Sequence, residues 1–541
     1  MSVGPQRLAQ ESNVASLVLA HGERCPERLA LVVPTAWTAR KVTAETRLTF
    51  GELAEQVGAV RAGLERAGLR AGDRVVVMFP VSAELYVLAL ALLASGLVAV
   101  LIDTSMPRRR MLQAIQRSRA RAIVSVDALL RHRLWLPALW GRQRYAVDGR
   151  RLGVASYSAL VGSASEAGPP APVDRSSPAL ITYTSGTTGR PKGANRTHHL
   201  LLAQHRALAE QFPAADDEID MPCFPVVALH NLCSGVATVM PAVDLRAPAS
   251  VDPQVVVAQI CEHGVTRMTG APAYLGRIAA HLAATGERLD SVRTVGVGGA
   301  PCSGDLGQRL REVLPDAELL TIYGSTEAEP IASASLDEVS AAEGQGYLVG
   351  QPARAATVEV VELSDPPPRL DQRGLAPFAV PQGAPGELVV RGDHVLRGYV
   401  DDPRAERRTK LRDPNGAVWH RTGDVARIDS RGRIWLLGRL PDLVSQAGRT
   451  LYPFAIEAEL DRLPGIARSA LVAHRRAPAG EVAIVLRADA APTEAVQGVR
   501  DWLASHELGS LPIQVLKELP VDARHNSRID RATLRALRQR A

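Results

Sequence analysis

Aromatic residues make up only 4% of this 541-residue chain, and lysine is scarce. Of 63 Lys and Arg, just four are Lys: Lys41, Lys192, Lys410 and Lys517. With so few rings, the core is expected to be built from Ala, Leu and Val. Cysteine is sparse as well. Cys25, Cys223, Cys233, Cys261 and Cys302 form no CxxC pair and no metal-ligand spacing, which excludes a disulfide framework and predicts reduced thiols in a cytoplasmic protein. The opening MSVGPQRLAQES lacks the apolar core of a secretory signal. The net charge of +6 is small for the length, and no dense Lys/Arg run with interleaved aromatics occurs, so no nucleic-acid partner is expected. One run, Leu85 to Ile102, has 18 residues without a charge. Ser95-Gly96 divides it and its second half is β-prone, which predicts a buried helix and a buried strand rather than an integral membrane segment.

What the chain does have is a regular alternation. LTFGELAEQVGAVRAGLERAGL repeats apolar residues at helical spacing, DRVVVMF and ARAIVSVD read as buried strands, and 46% apolar residues suffice for two or more globular domains. Such alternation predicts α/β structure with a parallel, doubly wound sheet. The Pro/Ser-rich stretch 163–178 then leads into ITYTSGTTGRPKGANRTH. Small residues let backbone approach an anion, and successive amide N–H groups can cradle phosphate oxygens. Thr184, Ser185, Thr187 and Thr188 add hydroxyls, Gly186 and Gly189 add freedom, and Lys192 adds a compact charge in an Arg-rich chain. Taken alone, the stretch also reads as a Gly/Ser surface turn. It is not a G-x-x-x-x-G-K-[ST] loop, because no register of GTTGRPKG fits that spacing.

Two later stretches share its chemistry. LLTIYGSTEAEP places a strand before Tyr323, a turn at Gly324, and oxygen ligands at Ser325, Thr326 and Glu327; one carboxylate with a hydroxyl beside phosphates suits Mg²⁺. The same residues read equally well as a helix N-cap with an acidic first turn. WHRTGDVARIDSRGRIWLLGR carries Asp424, a hairpin turn at DSRGR, and Arg439. Together these motifs, in this order, resemble the acyl-adenylate-forming superfamily, which includes acyl-CoA ligases, luciferases and peptide-synthetase adenylation domains. The resemblance covers nearly the whole chain.

It implies the adenylate-forming fold: a large N-terminal domain (1–438) with doubly wound sheets and a small β-rich subdomain, then a small mobile α/β lid (439–541). It implies ATP and Mg²⁺ as cofactors and attack of a carboxylate on the α-phosphorus, giving acyl-AMP and pyrophosphate. On the matching positions, the loop from Thr184 to Gly189 and Lys192 hold phosphates. Gly299, Ala300 and Pro301 line the adenine pocket, Tyr323 stacks on adenine, and Thr326 meets phosphate. Glu327 holds Mg²⁺, while Asp424 and Arg439 contact ribose and phosphate. His230, in the apolar stretch MPCFPVVALHNLCSGV, lies beside the substrate carboxylate, although Leu229 stands where many members have an aromatic residue.

Two positions depart from the pattern. Arg528 stands where the family has a lid lysine that touches the reacting groups, and Arg is a planar fork rather than a point charge. Pro441 follows Arg439 at the hinge, where a fixed φ stiffens the segment. FPVVALHNLCSGVATVMPAVDL, YGSTEAEPIA and PVDARHN are further similar to the olefin-biosynthesis β-lactone synthetases. That similarity implies a long-chain 3-hydroxy acid as the small-molecule substrate and other enzymes of the same lipid pathway as partners. Two alternatives stay open: an acyl-CoA or carrier-protein ligase, and an inactive nucleotide-binding member disabled by Arg528.

Overall fold

Thr49 shows how local sequence starts an element. Its hydroxyl accepts from the Glu52 N–H while the Glu52 carboxylate accepts from the Thr49 N–H, and this reciprocal cap opens the helix Phe50–Arg66. The computed structural model describes residues 12–104, 106–162, 168–184, 191–344, 346–473, 480–522 and 527–537. The uncharged run becomes the helix Ala83–Ala94 and the strand Val98–Ile102, separated at Ser95-Gly96 as expected. Among the described residues no helix is long and apolar enough to cross a membrane.

Two large sheets carry the N-terminal part. In the first, the order is Ala155–Ser156, Gln143–Ala146, Ala122–Ser125, Arg74–Met78, Val98–Ile102, Pro178–Thr184 and Lys192–Thr197. All neighbours are parallel except the last pair, whose strands run antiparallel across the phosphate-loop segment. The second sheet has fourteen strands. Leu29–Trp37, Ala237–Val239, Ile219–Pro222, Arg267–Gly270, Thr294–Gly298 and Glu318–Ser325 form its parallel centre. It continues antiparallel through Ala328–Ser335, Tyr347–Pro352, Ile434–Arg439, Val418–Ile428 and Gly386–Arg391, so the β-rich part is an extension of the same sheet. Val, Leu, Ile and Ala dominate the buried clusters, and Trp435 is the bulkiest fully buried side chain.

Residues after 443 have a core of their own. Val444, Leu460, Leu471, Ile484, Val499 and Leu503 pack beneath the three strands Ile466–Ala473, Gly480–Leu486 and Ile513–Leu516. The helix Pro453–Leu460 also faces the other way, with Phe454 packed on Ala328, Leu388 and Leu436, and Ala455 on Val425 and Leu437. Pro441 sits in a single tight turn, Leu440–Asp442, whose Asp442 accepts from Arg535 at 2.7 Å.

Two local expectations differ. The stretch GELVVRGDHVLRGYV (386–400) alternates in the β manner, consistent with the small β-rich subdomain, but only Gly386–Arg391 is strand and five of its six residues are buried. The chain leaves the sheet at Gly392, where a Cβ would stand 2.5 Å from the Ala355 carbonyl oxygen, and residues 392–400 become a wall of the site. The strand expected to end at Tyr323 runs to Ser325 and returns as Ala328–Ser335. This hairpin replaces both the tight turn at Gly324 and the helix N-cap alternative. Gly324 is needed for close approach, since a Cβ there would lie 3.0 Å from the Ala328 carbonyl oxygen.

Candidate active site

The hairpin Glu318–Ser335 is the spine on which the predicted site residues gather. Its first strand pairs Ile322 with Gly298, so the turn that carries Gly299, Ala300 and Pro301 opens beside Tyr323. Gly299 has φ +81°, a conformation that a side chain would strain. The Tyr323 hydroxyl donates to Asp424 Oδ2 at 2.7 Å, and the Arg439 Nε lies 3.1 Å from Asp424 Oδ1. Asp424 and Arg439 face each other as register partners on adjacent strands. Both Asp424 oxygens are thus engaged, and each keeps a second lone pair for a sugar hydroxyl.

At the hairpin's tip, Thr326 and Glu327 meet the edge of the seven-stranded sheet. Arg196 donates to the Thr182 hydroxyl at 2.5 Å and to the Thr326 carbonyl at 2.7 Å. Lys192 begins the strand Lys192–Thr197, opposite Thr184. Its neighbour Gly193 leaves room for the Tyr183 ring, which a Cβ would meet at 2.9 Å. Ser185, Gly186, Thr187, Thr188 and Gly189 lie outside the described residues.

Sequence reasoning missed the residues that surround Glu327. Tyr399 donates its hydroxyl to Glu327 Oε1 at 2.8 Å, and Leu396 N–H donates to the Glu327 carbonyl at 2.7 Å. Lys192 and Lys410 each place their ammonium 5.7 Å from the centre of the Tyr399 ring. Lys410, 5% exposed, donates to the Leu396 carbonyl and pairs in register with His420. Burial pushes Lys410 down to about 7, against the pull of Glu327 and Glu406. Burial alone would raise Glu327, but His420, Lys410, the Tyr399 hydroxyl and Arg196 outweigh it and hold the carboxyl below its usual range. Since burial pushes His420 to about 3 and Lys410 to about 7, the neighbouring charges at neutral pH are that of Arg196 in full and that of Lys410 in part. The available signal was the scarcity of lysine: half of the chain's four meet at one tyrosine.

These residues fit the groups the sequence implies. No cluster of three or more His, Cys, Asp or Glu able to cage a metal occurs among the described residues. One ionised carboxylate, Glu327, stands beside Thr326 and Lys192, a donor set suited to Mg²⁺ that keeps its waters and leans on phosphate oxygens. Glu327 Oε2 would complete that contact while Oε1 holds Tyr399.

His230 is placed apart from this cluster by its own contacts. It lies on the helix Pro225–Ser234, whose leading Phe224 would be 3.9 Å from a Cβ at Gly298. Its Nδ1 is 3.0 Å from Nδ1 of His205, on the helix His198–Gln211, with ring centres 4.9 Å apart. His230 therefore has an imidazole neighbour from another helix, with Leu229 beside it in sequence. Burial depresses both imidazoles, His205 to about 4. His230 Nε2 is buried without a hydrogen bond among the described residues. The cavity beside the pair, walled by Val14, Leu201, Leu208, Val226 and Leu229, is about 20 Å³, room for one water and not an acyl chain.

Arg528 reaches the site from the C-terminal unit. Its Nε donates to the Gly299 carbonyl at 2.8 Å, while Ser527 Oγ accepts from the Ala273 N–H at 3.3 Å. Arg487 adds an ion pair with Asp305 at 2.5 Å. Lys517 directly follows the strand Ile513–Leu516.

Known proteins are similar to this chain in sequence and fold. The profile of the AMP-binding enzyme family matches residues 19–400. An olefin β-lactone synthetase of Stenotrophomonas maltophilia is 31% identical over 96% of this chain and 97% of its own length. A feruloyl-CoA synthase of Amycolatopsis is also 31% identical, over 86% of this chain and 88% of its own. Among solved structures, ATP-bound MatB of Rhodopseudomonas palustris superposes with a TM-score of 0.79 at 23% identity, covering 97% of this chain and 99% of that one. By the family profile over residues 19–400 and by its full-length relatives, the chain belongs to the AMP-binding enzyme family and is an ATP-dependent, acid-activating ligase that forms acyl-adenylates.

Proposed function

We propose that this ligase activates a long-chain 2-alkyl-3-hydroxy acid and closes it to a β-lactone. The observation that carries this reading is the similarity to an olefin β-lactone synthetase across almost the whole length of both chains. In the first step a carboxylate oxygen attacks the α-phosphorus of ATP, the bond to the bridging oxygen breaks, and pyrophosphate leaves. Lys192, with Arg196 on the same strand, would offset the charge that builds on the leaving phosphates. Bound Mg²⁺ would add charge neutralisation there, held by Glu327 and Thr326. Asp424 and Arg439 would orient the ribose, and the Gly299 turn the adenine. In the second step the substrate's own hydroxyl attacks the acyl carbon, AMP departs with the C–O bond electrons, and the hydroxyl proton passes to solvent. Having the nucleophile on the same molecule supplies proximity without a second substrate. We place this chemistry in the cytoplasm, beside other enzymes of the same lipid pathway.

The proposal extends to the domains: residues 1–438 bind ATP and acid, and 439–541 form a lid. The contacts of Arg528 with Gly299 and of Arg487 with Asp305 support a lid seated for adenylation. A large rotation would have to release Phe454 and Ala455 from the β-rich part and turn at Pro441. A ligase that never hands its acyl group to a thiol has no need of that rotation.

Thioester formation is the second reading, favoured by the feruloyl-CoA synthase similarity. Product mass separates the two. The protein is incubated with Mg²⁺, ATP and 2-alkyl-3-hydroxy acids, with and without coenzyme A. A product lighter than the acid by one water, with AMP released and no need for coenzyme A, is the expected result. A thioester formed only with coenzyme A would replace the lactone reading.

A further inference from the structure

In a chain with only six tryptophans, two that lie five residues apart, Trp135 and Trp140, are each more than half exposed. The four most exposed large apolar side chains among the described residues are Leu152 (89%), Trp135 (83%), Leu134 (69%) and Trp140 (55%). They come from one stretch of sequence and are stitched together by Arg133. The Trp140 indole N–H donates to the Arg133 carbonyl at 2.9 Å, and the Arg133 guanidinium donates to the Leu152 carbonyl at 2.6 Å. The patch is rigidly presented. Leu136, Ala138 and Leu139 turn inward, onto a core with Ile115, Ile123 and Val154, and the turn Pro137–Leu139 locks that alternation. A contiguous exposed apolar patch of this kind marks an interaction surface.

Its charge says what kind. Between residues 127 and 152 there are six Arg and two Asp. Both acids are engaged locally: Asp127 pairs with Arg151 at 2.6 Å, and Asp148 accepts from the Asp127 N–H at 2.6 Å. Arg131 and Arg150 are exposed around the apolar residues. Two indoles and two leucines are too few to build a stable protein interface, which takes about 800 Å² per partner. They are well suited to a lipid boundary, where indole sits at headgroup depth and arginines meet anionic phosphates.

We propose that this face docks the enzyme on an anionic lipid surface, with Trp135, Trp140, Leu134 and Leu152 inserted among the headgroups. The patch residues flank in sequence the strand Gln143–Ala146, second from one edge of the seven-stranded sheet. Lys192–Thr197 is the opposite edge, five strand spacings or roughly 24 Å away. Docking there therefore leaves the candidate active site uncovered, and the inference holds whichever acyl acceptor is used.

Flotation of the full chain with vesicles tests it. Binding is expected to vesicles of phosphatidylcholine with phosphatidylglycerol and to weaken at least tenfold on phosphatidylcholine alone or in high salt. Brominated lipid is expected to quench tryptophan emission. The Trp135→Ser, Leu152→Ser double variant should lose both signals, and Arg131→Gln and Arg150→Gln should each lower partitioning by about fivefold. All these positions are exposed, so melting temperature and pyrophosphate release should stay at the wild-type level. No flotation of the wild type, or flotation unchanged in the variants, would overturn the proposal. So would a wild-type dimer that the double variant converts to monomer, because the patch would then be a contact between copies of this chain.

Discussion

Glu327 carries a charge in a place that burial alone would neutralise, and its neighbours decide whether it keeps it. Glu327→Gln preserves the shape and an acceptor for Tyr399 while removing the charge. We expect kcat/KM for ATP to fall by about 10²–10³, the size of a lost electrostatic contact in an active site, with the melting temperature little changed. Lys410→Met tests the missed lysine. Removing its charge lets the Glu327 carboxyl protonate more easily, so the acid limb of the pH–rate profile should move to higher pH. Stability should hold or rise, because a buried amine held down to about 7 is itself costly to bury charged. Lys192 and Glu327 were legible because their motifs are contiguous. Lys410, Tyr399 and His420 were not, since three separate segments bring them to Glu327 and no local pattern marks any of them.

Elements were easier to read where one face or one break dominates. The helix Ala83–Ala94 and strand Val98–Ile102 follow from Ser95-Gly96, and Phe50–Arg66 follows from its cap. Thr49→Ala should cost about 1 kcal/mol of stability in a denaturant titration. The hairpin Glu318–Ser335 was less legible, because an acidic turn after a strand resembles a helix start until its return strand is seen. In the C-terminal unit, the helix Pro453–Leu460 ends at Asp461, which accepts from Ser469 at 2.6 Å and which burial pushes up to about 7. Its folded pKa lies above the ordinary carboxylate value, so the folded state holds the extra proton between roughly pH 4 and 7. Stability from this group is present below pH 4 and lost as pH rises through 7. Asp461→Asn should flatten that decline, measured by melting curves from pH 5 to 8.

At the scale of the molecule, the C-terminal unit meets the rest through the packed helix Pro453–Leu460 and through exposed polar contacts. The Arg487–Asp305 pair is about half exposed on both sides, so it should contribute less than about 1 kcal/mol to stability. Asp305→Lys should leave the melting temperature nearly unchanged yet slow pyrophosphate release, because it opposes seating of the unit that brings Arg528 to Gly299. A matching Arg487→Glu change should restore the rate. The parallel centre of the large sheet was readable from strand and helix alternation. Its unbroken continuation into the β-rich part was not, because register between Tyr347–Pro352 and Ile434–Arg439 joins segments some eighty residues apart.

The contact between His205 and His230 has a consequence for direction. Two Nδ1 atoms 3.0 Å apart must share a single proton, so the rings are opposite tautomers. If His205 donates, His230 carries its own proton on Nε2; if His230 donates, its Nε2 is a bare lone pair. Passing the shared proton from His230 to His205 turns that buried nitrogen from acceptor to donor, takes up one proton on the His230 side and frees one at the far side of His205. Neither ring stays charged, which suits a pair that burial keeps neutral. The tautomer of one ring therefore fixes that of the other, and any group that hydrogen-bonds His230 Nε2 also selects which His205 nitrogen carries its proton.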